Sequence, residues 1–580
     1  MKKKILVGTI LLISIGFASF TIAQITKLEK TTKIAMDTSW KKLSLREKIG
    51  QTMMITSDLQ SQLKMCNGDL KEFFKKYPVG GMFIASWHFD YLKSPDFKLA
   101  EFIPQALKNY NAASKYPLFF SEDFERGAGY NYSTCTKLPV EMTLGAANDT
   151  ALAYAYGKIV SAESRAMGFN WLLHPVADLN LNPLHPLVIE RAVSDNAERA
   201  LPILEAQLKG MKDQQIISTI KHFPGDGATI CDQHLITSAN NLSMEDWNKS
   251  YGKIFQTLIN EGAPTIMVGH IQFPAYQNDP IDGVMPPATL SKDIMQKLLK
   301  TQMGFKGVVV SDAMNMGGAS GYYDNALEAS VQCFIAGADM ILWPSLAYMD
   351  TVEARILRGE IPMSRLDDAV ERIWALREKY DLIKKKKEIA APLPMDFTKY
   401  VQTEVTTLAE KSVTLIQDKN HDIPLSPEKS KKIFMVNISH NDKTGVLQTM
   451  KKELEARGFE VRIEHDFHLY NWEWRWDSLA QYDKFIVCFE NHYFDPIGSP
   501  LLKDKEAYCL WSIKNLPKNK IISVSFSNPY YNTFYLKNTP LLINAYSSDD
   551  YMQKAVVKVL MGEITPTATS PVNLYHDNMK

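Results

Sequence analysis

The sequence predicts an α/β fold: a TIM-type (β/α)₈ barrel followed by a smaller α/β sandwich domain. Three observations predict it. Short, continuously apolar runs alternate with helix-like stretches as far as Ser345. Those runs lack an apolar/polar alternation, as strands of a parallel sheet buried on both faces do. After a lysine- and proline-containing stretch, similar runs resume through the remaining chain.

The elements follow in order. Met1–Gln24 has a basic start, an apolar run and a small-residue end at Ala23. It reads as a secretory leader, residues 1–23, with an uncleaved anchor as the alternative. Leu43–Thr52 reads as a helix. The barrel strands are expected at Gly80–Ser86, Leu118–Asp123, Asn170–Asn180, Ile216–His222, Thr265–His270, Gly307–Ala313 and Met340–Ser345. Helical stretches such as Asp149–Gly168 and Ser291–Met303 separate them. An open doubly wound sheet is the alternative topology. The barrel is assigned to residues 24–385. The stretch "IKKKKEIAAPLPMDF" marks a boundary, with a linker at 386–404. Residues 405–580 form the second domain, with strands in "SVTLIQD", "KIFMVNIS", "KFIVCFE", "IISVSFS" and "PLLINAYS" and helices in "TGVLQTMKKELEARG" and "DDYMQKAVVKVLMG".

Lys+Arg and Asp+Glu are equal at 65 each, so no global basic field attracts nucleic acid. A small neutral or polar substrate fits better. No G-x-G-x-x-G occurs, so a dinucleotide role has no support. The six cysteines show no CxxC pairing, which argues against a structural zinc site. No cofactor or metal is expected. No segment after the leader is apolar enough to span a membrane.

Barrel sites lie where the strands end. Here the runs end in Asp123, Asp178, Lys221-His222, His270 and Asp312. Asp312 by itself reads either as a catalyst or as a cap for a helix over "AMNMGGAS". His270 reads either as a site residue or as a satisfied strand-end histidine. The segment "KHFPGDGATICDQH", Lys221–His234, is broken by Pro224, Gly225 and Gly227, glycines that would permit hinging. Asp232 and His234 are spaced i, i+2, so in an extended loop they point the same way. Asp232 can then orient one imidazole nitrogen and leave the other to move a proton. His222, Asp226, Asp232 and His234 also make a conceivable metal set, though at no zinc spacing. The cluster "YNWEWRW", Tyr470–Trp476, reads as interdomain packing or a sugar platform.

These motifs together resemble family 3 glycoside hydrolases, in particular the β-N-acetylglucosaminidase branch. That branch carries a "KHFPGHG…DSH" loop, matched in spacing by "KHFPGDGATICDQH". The family's nucleophile position, "SDxxxM", is Asp312 in "SDAMNM". "DFERG" stands where the family has a sugar-binding Asp, here Asp123, and departs from the usual "DQEGG". "NPLHPLVIERAVS" places the family's sugar-contacting Arg at Arg191. The resemblance extends from Leu43 to Asn573. It implies a retaining mechanism, with Asp312 as nucleophile and His234, oriented by Asp232, as acid–base. It also implies that Asp123, Arg191, Lys221 and His222 grip the sugar. Asp226 replaces a His of the acetylglucosaminidase loop, and "GDG" resembles the glucosidase branch instead. A β-glucosidase, phosphorolysis in place of hydrolysis, and a degenerate wall-sugar binder are the alternatives.

Overall fold

Eight short parallel strands form the first half of the computed structural model: β1 (Met53–Thr56), β2 (Gly81–Phe83), β3 (Phe119–Glu122), β4 (Trp171–Leu172), β5 (Ile217–Phe223), β6 (Thr265–Val268), β7 (Val308–Ser311) and β8 (Ile341–Leu342). Their order is β8-β1-β2-β3-β4-β5-β6-β7. A parallel bridge between Val310 and Met340 joins β7 to the approach of β8. The sheet is therefore a nearly closed barrel rather than an open doubly wound sheet. The structure describes residues 37–57, 66–92, 98–384, 386, 390–440, 445–465, 467–468, 476–492 and 498–575. The leader and all of Tyr470–Trp476 except its final residue lie outside this range, and no side-chain placement is described for Trp476. Of the described residues, 37–43 belong to one unit, with a 3₁₀ turn at Ser39–Lys42. Ser44–Lys580 forms the other.

The barrel interior is filled by side chains from successive strands, among them Met54, Phe119, Trp171, Ile217, Met267 and Val310. Each such side chain contributes about 1.5–3 kcal/mol when fully buried. Trp171 satisfies its indole on Thr219 Oγ1 at 2.7 Å. The expected strand from Asn170 to Asn180 stops at Leu172. Pro175 lacks a ladder donor, and beyond it only Val176 bridges back, to Lys221. The first strand, β1, was not anticipated. It follows the helix Leu45–Gln51 almost directly, and its short apolar run Met53–Ile55 reads as that helix's continuation.

The second sheet comprises β9 (Thr414–Asp418), β10 (Lys432–Ile438), β11 (Glu460–Glu464), β12 (Lys484–Phe489), β13 (Ile521–Ser525) and β14 (Leu541–Asn544), ordered β9-β14-β13-β12-β10-β11. Only the β9–β14 pairing is antiparallel. Helices Gln448–Glu455 and Asp550–Leu560 bury Met450, Leu454, Met552 and Val556 on one face. Helix Asp504–Ile513 buries Cys509, Leu510 and Ile513 on the other. A helix also spans Phe397–Ser412, so the later part of the stretch read as a linker is helical. Phe397, Val401, Val405 and Leu408 recur at helical spacing and are buried.

The two halves share apolar surface. Ile189 joins the Asp504–Ile513 face, and Val140, Met142 and Ala146 pack against Tyr530, Tyr546, Val572 and Leu574. None of the six cysteines is joined in a disulfide. No helix among the described residues is long and apolar enough to cross a membrane.

Candidate active site

The C-terminal ends of the barrel strands open onto a cavity of about 510 Å³. Asp123, Arg191, Lys221, His222, His234 and Asp312 all line it. Asp232 stands directly behind His234. Among the described residues, every lining side chain comes from the barrel half.

One side is built on a buried ion network. Lys221, only 2% exposed, donates to Asp123 Oδ1 and pairs with Glu125 Oε1, both at 2.7 Å. Arg191 clamps Glu125 through Nε and a terminal nitrogen at 2.7 and 2.8 Å. Burial would raise the Glu125 carboxyl, but Arg191 and Lys221 outweigh it and hold the group well below the usual carboxylate range. Lys221 stays cationic: burial disfavours its charge, yet Asp123 and Glu125 push it above its ordinary value. Beside this network, burial and the Asp123 charge hold Glu122 well above the carboxylate range. Glu122 accepts from Asn131 at 2.7 Å and from the Asp123 backbone.

The chemistry-bearing side lies between β5 and β7. The register of β5 with β6 shifts between Ile220 and Phe223, and Lys221 and His222 both line the cavity. His222 Nδ1 donates to Asp178 Oδ2 at 2.6 Å, and Asp178 Oδ1 accepts from the His222 and Asp226 backbone. The opposite nitrogen, Nε2, lies 4.0 Å from Asp312 Oδ2. Asp312 follows β7 and accepts from the Ala313 backbone at 2.8 Å. It caps no helix, because the next one starts at Gly317 behind Met316. Burial opposes its ionisation, but His222, His270 and the Ala313 N–H hold its carboxyl below the ordinary value. His270 sits behind this carboxylate. Its ring spans Thr289 Oγ1 at 2.9 Å and the Ala313 carbonyl at 3.0 Å, so it braces the turn and is the satisfied strand-end histidine.

The Asp232–His234 spacing closes as a pair. Asp232 Oδ1 accepts from the His234 backbone and from Nδ1, both at 2.9 Å. A carboxylate can only accept, so the ring proton is fixed on Nδ1. Nε2 is then a base in the neutral ring and an acid in the charged one.

Asp226 is placed elsewhere. Its Oδ1 accepts from Ser238 at 2.9 Å, from the Gly227 backbone at 2.9 Å and from His185 Nε2 at 3.0 Å. It does not line the cavity, so "GDG" braces the loop rather than touching a ligand. Both glycines of that turn are required by backbone and by space, with φ of +117° at Gly225 and +99° at Gly227. A Cβ on Gly225 would lie 2.2 Å from the Tyr251 ring, and one on Gly227 2.0 Å from the Leu179 carbonyl. The metal set is likewise dispersed: His222 pairs with Asp178, Asp226 with His185 and Asp232 with His234. Among the described residues, no three His, Cys, Asp or Glu side chains are placed to hold an ion.

Sequence reasoning missed Glu125, and the signal was available. Asp123 and Glu125 are spaced i, i+2 just beyond a strand, the same relation that singled out Asp232 and His234. The role of Asp178 as partner of His222 depends on the segment beyond β4 packing beside β5 and has no local signal. The second domain supports the β3–β4 side from outside. Tyr130, on the cavity wall, bonds Ser547, and His492 bridges Glu190 and Ser548 at 3.1 Å each.

The family model described as "Glycosyl hydrolase family 3 N terminal domain" matches residues 44–376. The chain belongs to glycosyl hydrolase family 3. A Cellulomonas fimi protein named "Beta-N-acetylglucosaminidase/beta-glucosidase" is 27% identical over 497 residues, covering 79% of this chain and 84% of the relative. A Pseudoalteromonas piscicida "Beta-hexosaminidase A" is 29% identical over 344 residues, 57% of this chain and 56% of the relative. Among solved structures, "Beta-glucoside phosphorylase BglX bound to 2FGlc" superposes with a TM-score of 0.82 at 28% identity, covering 93% of this chain and 95% of that one. A family 3 β-N-acetylglucosaminidase from Paenibacillus sp. str. FPU-7 gives 0.76 at 25% identity, covering 92% and 99%. The chain is thus a family 3 glycoside hydrolase with the barrel-plus-sandwich architecture of these neighbours.

Proposed function

We propose that this family 3 enzyme is a retaining, exo-acting β-N-acetylglucosaminidase. It removes terminal β-linked N-acetylglucosamine from cell-wall or chitin-type oligosaccharides. The observation that carries the reading is the Asp232–His234 pair on the wall of the cavity that also holds Asp312. The relatives named for hexosaminidase and acetylglucosaminidase activity support it.

In this reading each residue has one task. Asp123, Arg191, Lys221 and His222 hold the sugar hydroxyls and fix the ring for attack. An ionised Asp312 oxygen attacks the anomeric carbon as His234 Nε2–H gives its proton to the departing oxygen. The glycosidic bond breaks and a glycosyl-enzyme forms. His234, now neutral, takes a proton from water, whose oxygen attacks the same carbon and releases Asp312. Asp232 stays ionised throughout and stabilises each imidazolium. The leader at residues 1–23 supports export, to the periplasm or outside the cell.

A second reading is favoured by the neighbour named as a β-glucoside phosphorylase. A neutral imidazole does not repel an anionic acceptor as a carboxylate would. Phosphate can then replace water and leave as a glycosyl phosphate. Initial rates on chromogenic β-N-acetylglucosaminide and β-glucoside, each with and without phosphate, test both readings. Faster turnover of the acetamido sugar, with free sugar as product in phosphate buffer, is expected. Preference for the glucoside, or release of glycosyl phosphate, moves the assignment to the second reading.

A further inference from the structure

The cavity wall is divided by chemistry. From β3 to β5 the lining includes the ion network and the histidines, and β7 supplies Asp312. The sector from β8 to β2 is different. Among the described residues, the four lining side chains it supplies are apolar or aromatic: Leu342, Trp343, Phe83 and Trp87. Phe83 is the hinge of an aromatic cluster, edge-on to Trp343 at 5.2 Å and tilted against Trp87 at 6.2 Å. Phe83 is 1% exposed, whereas Trp87 is 50% exposed, so the cluster runs from the interior to the mouth.

Trp343 is held there at a cost. Its φ is +60°, a region bulky residues rarely adopt. Its buried Nε1–H has no acceptor among the described residues. A residue kept only for packing is normally relieved of both features.

We propose that Trp87, backed by Phe83 and Trp343, is the subsite for the leaving group, and that this group is a second pyranose. The inference rests on the glycosidase reading above. The hydroxyl-binding groups fix the terminal sugar against β3–β5, with its anomeric carbon at Asp312. The part released must then lie toward the mouth, where the half-exposed face of Trp87 stands. A pyranose presents a flat C–H face to such a ring, and that contact uses no hydrogen bonds. Trp87 thereby selects oligosaccharides over glycosides with small leaving groups.

The test uses full-length wild type, Trp87→Ala and Trp87→Phe on three substrates of one sugar: the β-linked disaccharide, an alkyl glycoside and the glycosyl fluoride. Fluoride carries no ring to stack. The expected result is a roughly 5- to 10-fold greater loss of kcat/KM on the disaccharide than on the fluoride for Trp87→Ala. Trp87→Phe should recover most of it, with unchanged thermal unfolding. An equal loss on disaccharide and fluoride overturns the proposal by placing Trp87 against the terminal sugar. A disaccharide no more sensitive than the alkyl glycoside overturns the choice of a pyranose. Failure of the wild type to turn over any of the three removes the glycosidase reading and the subsite with it.

Discussion

Replacing Asp232 by Asn separates the two roles assigned to His234. Asn keeps the size and one oxygen, which can still accept from the His234 backbone and Nδ1. What is lost is the charge that stabilises the imidazolium. Asp232 is 2% exposed, so water does not screen that charge. A hydrogen bond to a charged group contributes about 1.5–3 kcal/mol, which is about 10- to 150-fold in rate. The loss falls on steps in which His234 moves a proton. Glycosides of poor leaving groups should lose kcat/KM by about this factor. Dinitrophenyl glycosides depart without a proton and should lose far less. Azide, which attacks without a base, should restore kcat on the dinitrophenyl substrate. Equal losses across leaving groups, or no azide rescue, would refute the acid–base assignment.

Glu125→Gln leaves Lys221 and Arg191 buried without their shared counter-charge and should cost about 3–5 kcal/mol in denaturant unfolding at neutral pH. Because Glu125 is held well below its ordinary value of 4.5, its contribution is complete above that pH and fades as the pH falls below it. The gap between variant and wild type should narrow on acidification over the same range. Asp178→Asn weakens the bond that holds the His222 ring 4.0 Å from Asp312, where it lowers the Asp312 carboxyl. The Asp312 carboxyl should rise, and the acid limb of the kcat/KM profile should move to higher pH. Asp226→Asn weakens the carboxylate that gathers His185, Ser238 and Gly227. It should lower stability by about 1–3 kcal/mol in thermal or denaturant unfolding and leave the ratio of glucosaminide to glucoside rates unchanged.

The barrel was legible because strands buried on both faces must be continuously apolar, and runs such as "GVVVSDA" have few other uses. Two strands escaped for physical reasons. β1 is only four residues long and directly follows a helix, so it lacks a boundary of its own. β11, "EVRIE", is an edge strand whose exposed charges hide it among polar loops. The site was partly legible. The i, i+2 relation of Asp232 and His234 is local, and the pair forms through a turn that starts at Asp232 rather than through an extended loop. The pairing of His222 with Asp178 arises where the chain beyond β4 runs alongside β5, and the aromatic sector at β8–β2 arises from barrel closure, which brings Trp343 beside Phe83 across 260 residues of sequence. Asp226 shows the opposite case: a local motif points to the cavity, while the backbone turn points its carboxylate at His185.

The central claim is that Asp312 carries the sugar during turnover. Intact-mass and peptide mass spectrometry of the enzyme treated with a ring-fluorinated glycosyl fluoride, which slows the second step, tests it most directly. The account predicts one added sugar mass, located on the peptide containing Asp312, that disappears as activity returns. An adduct on any other residue, or steady turnover of the reagent with no adduct at any time, would contradict it.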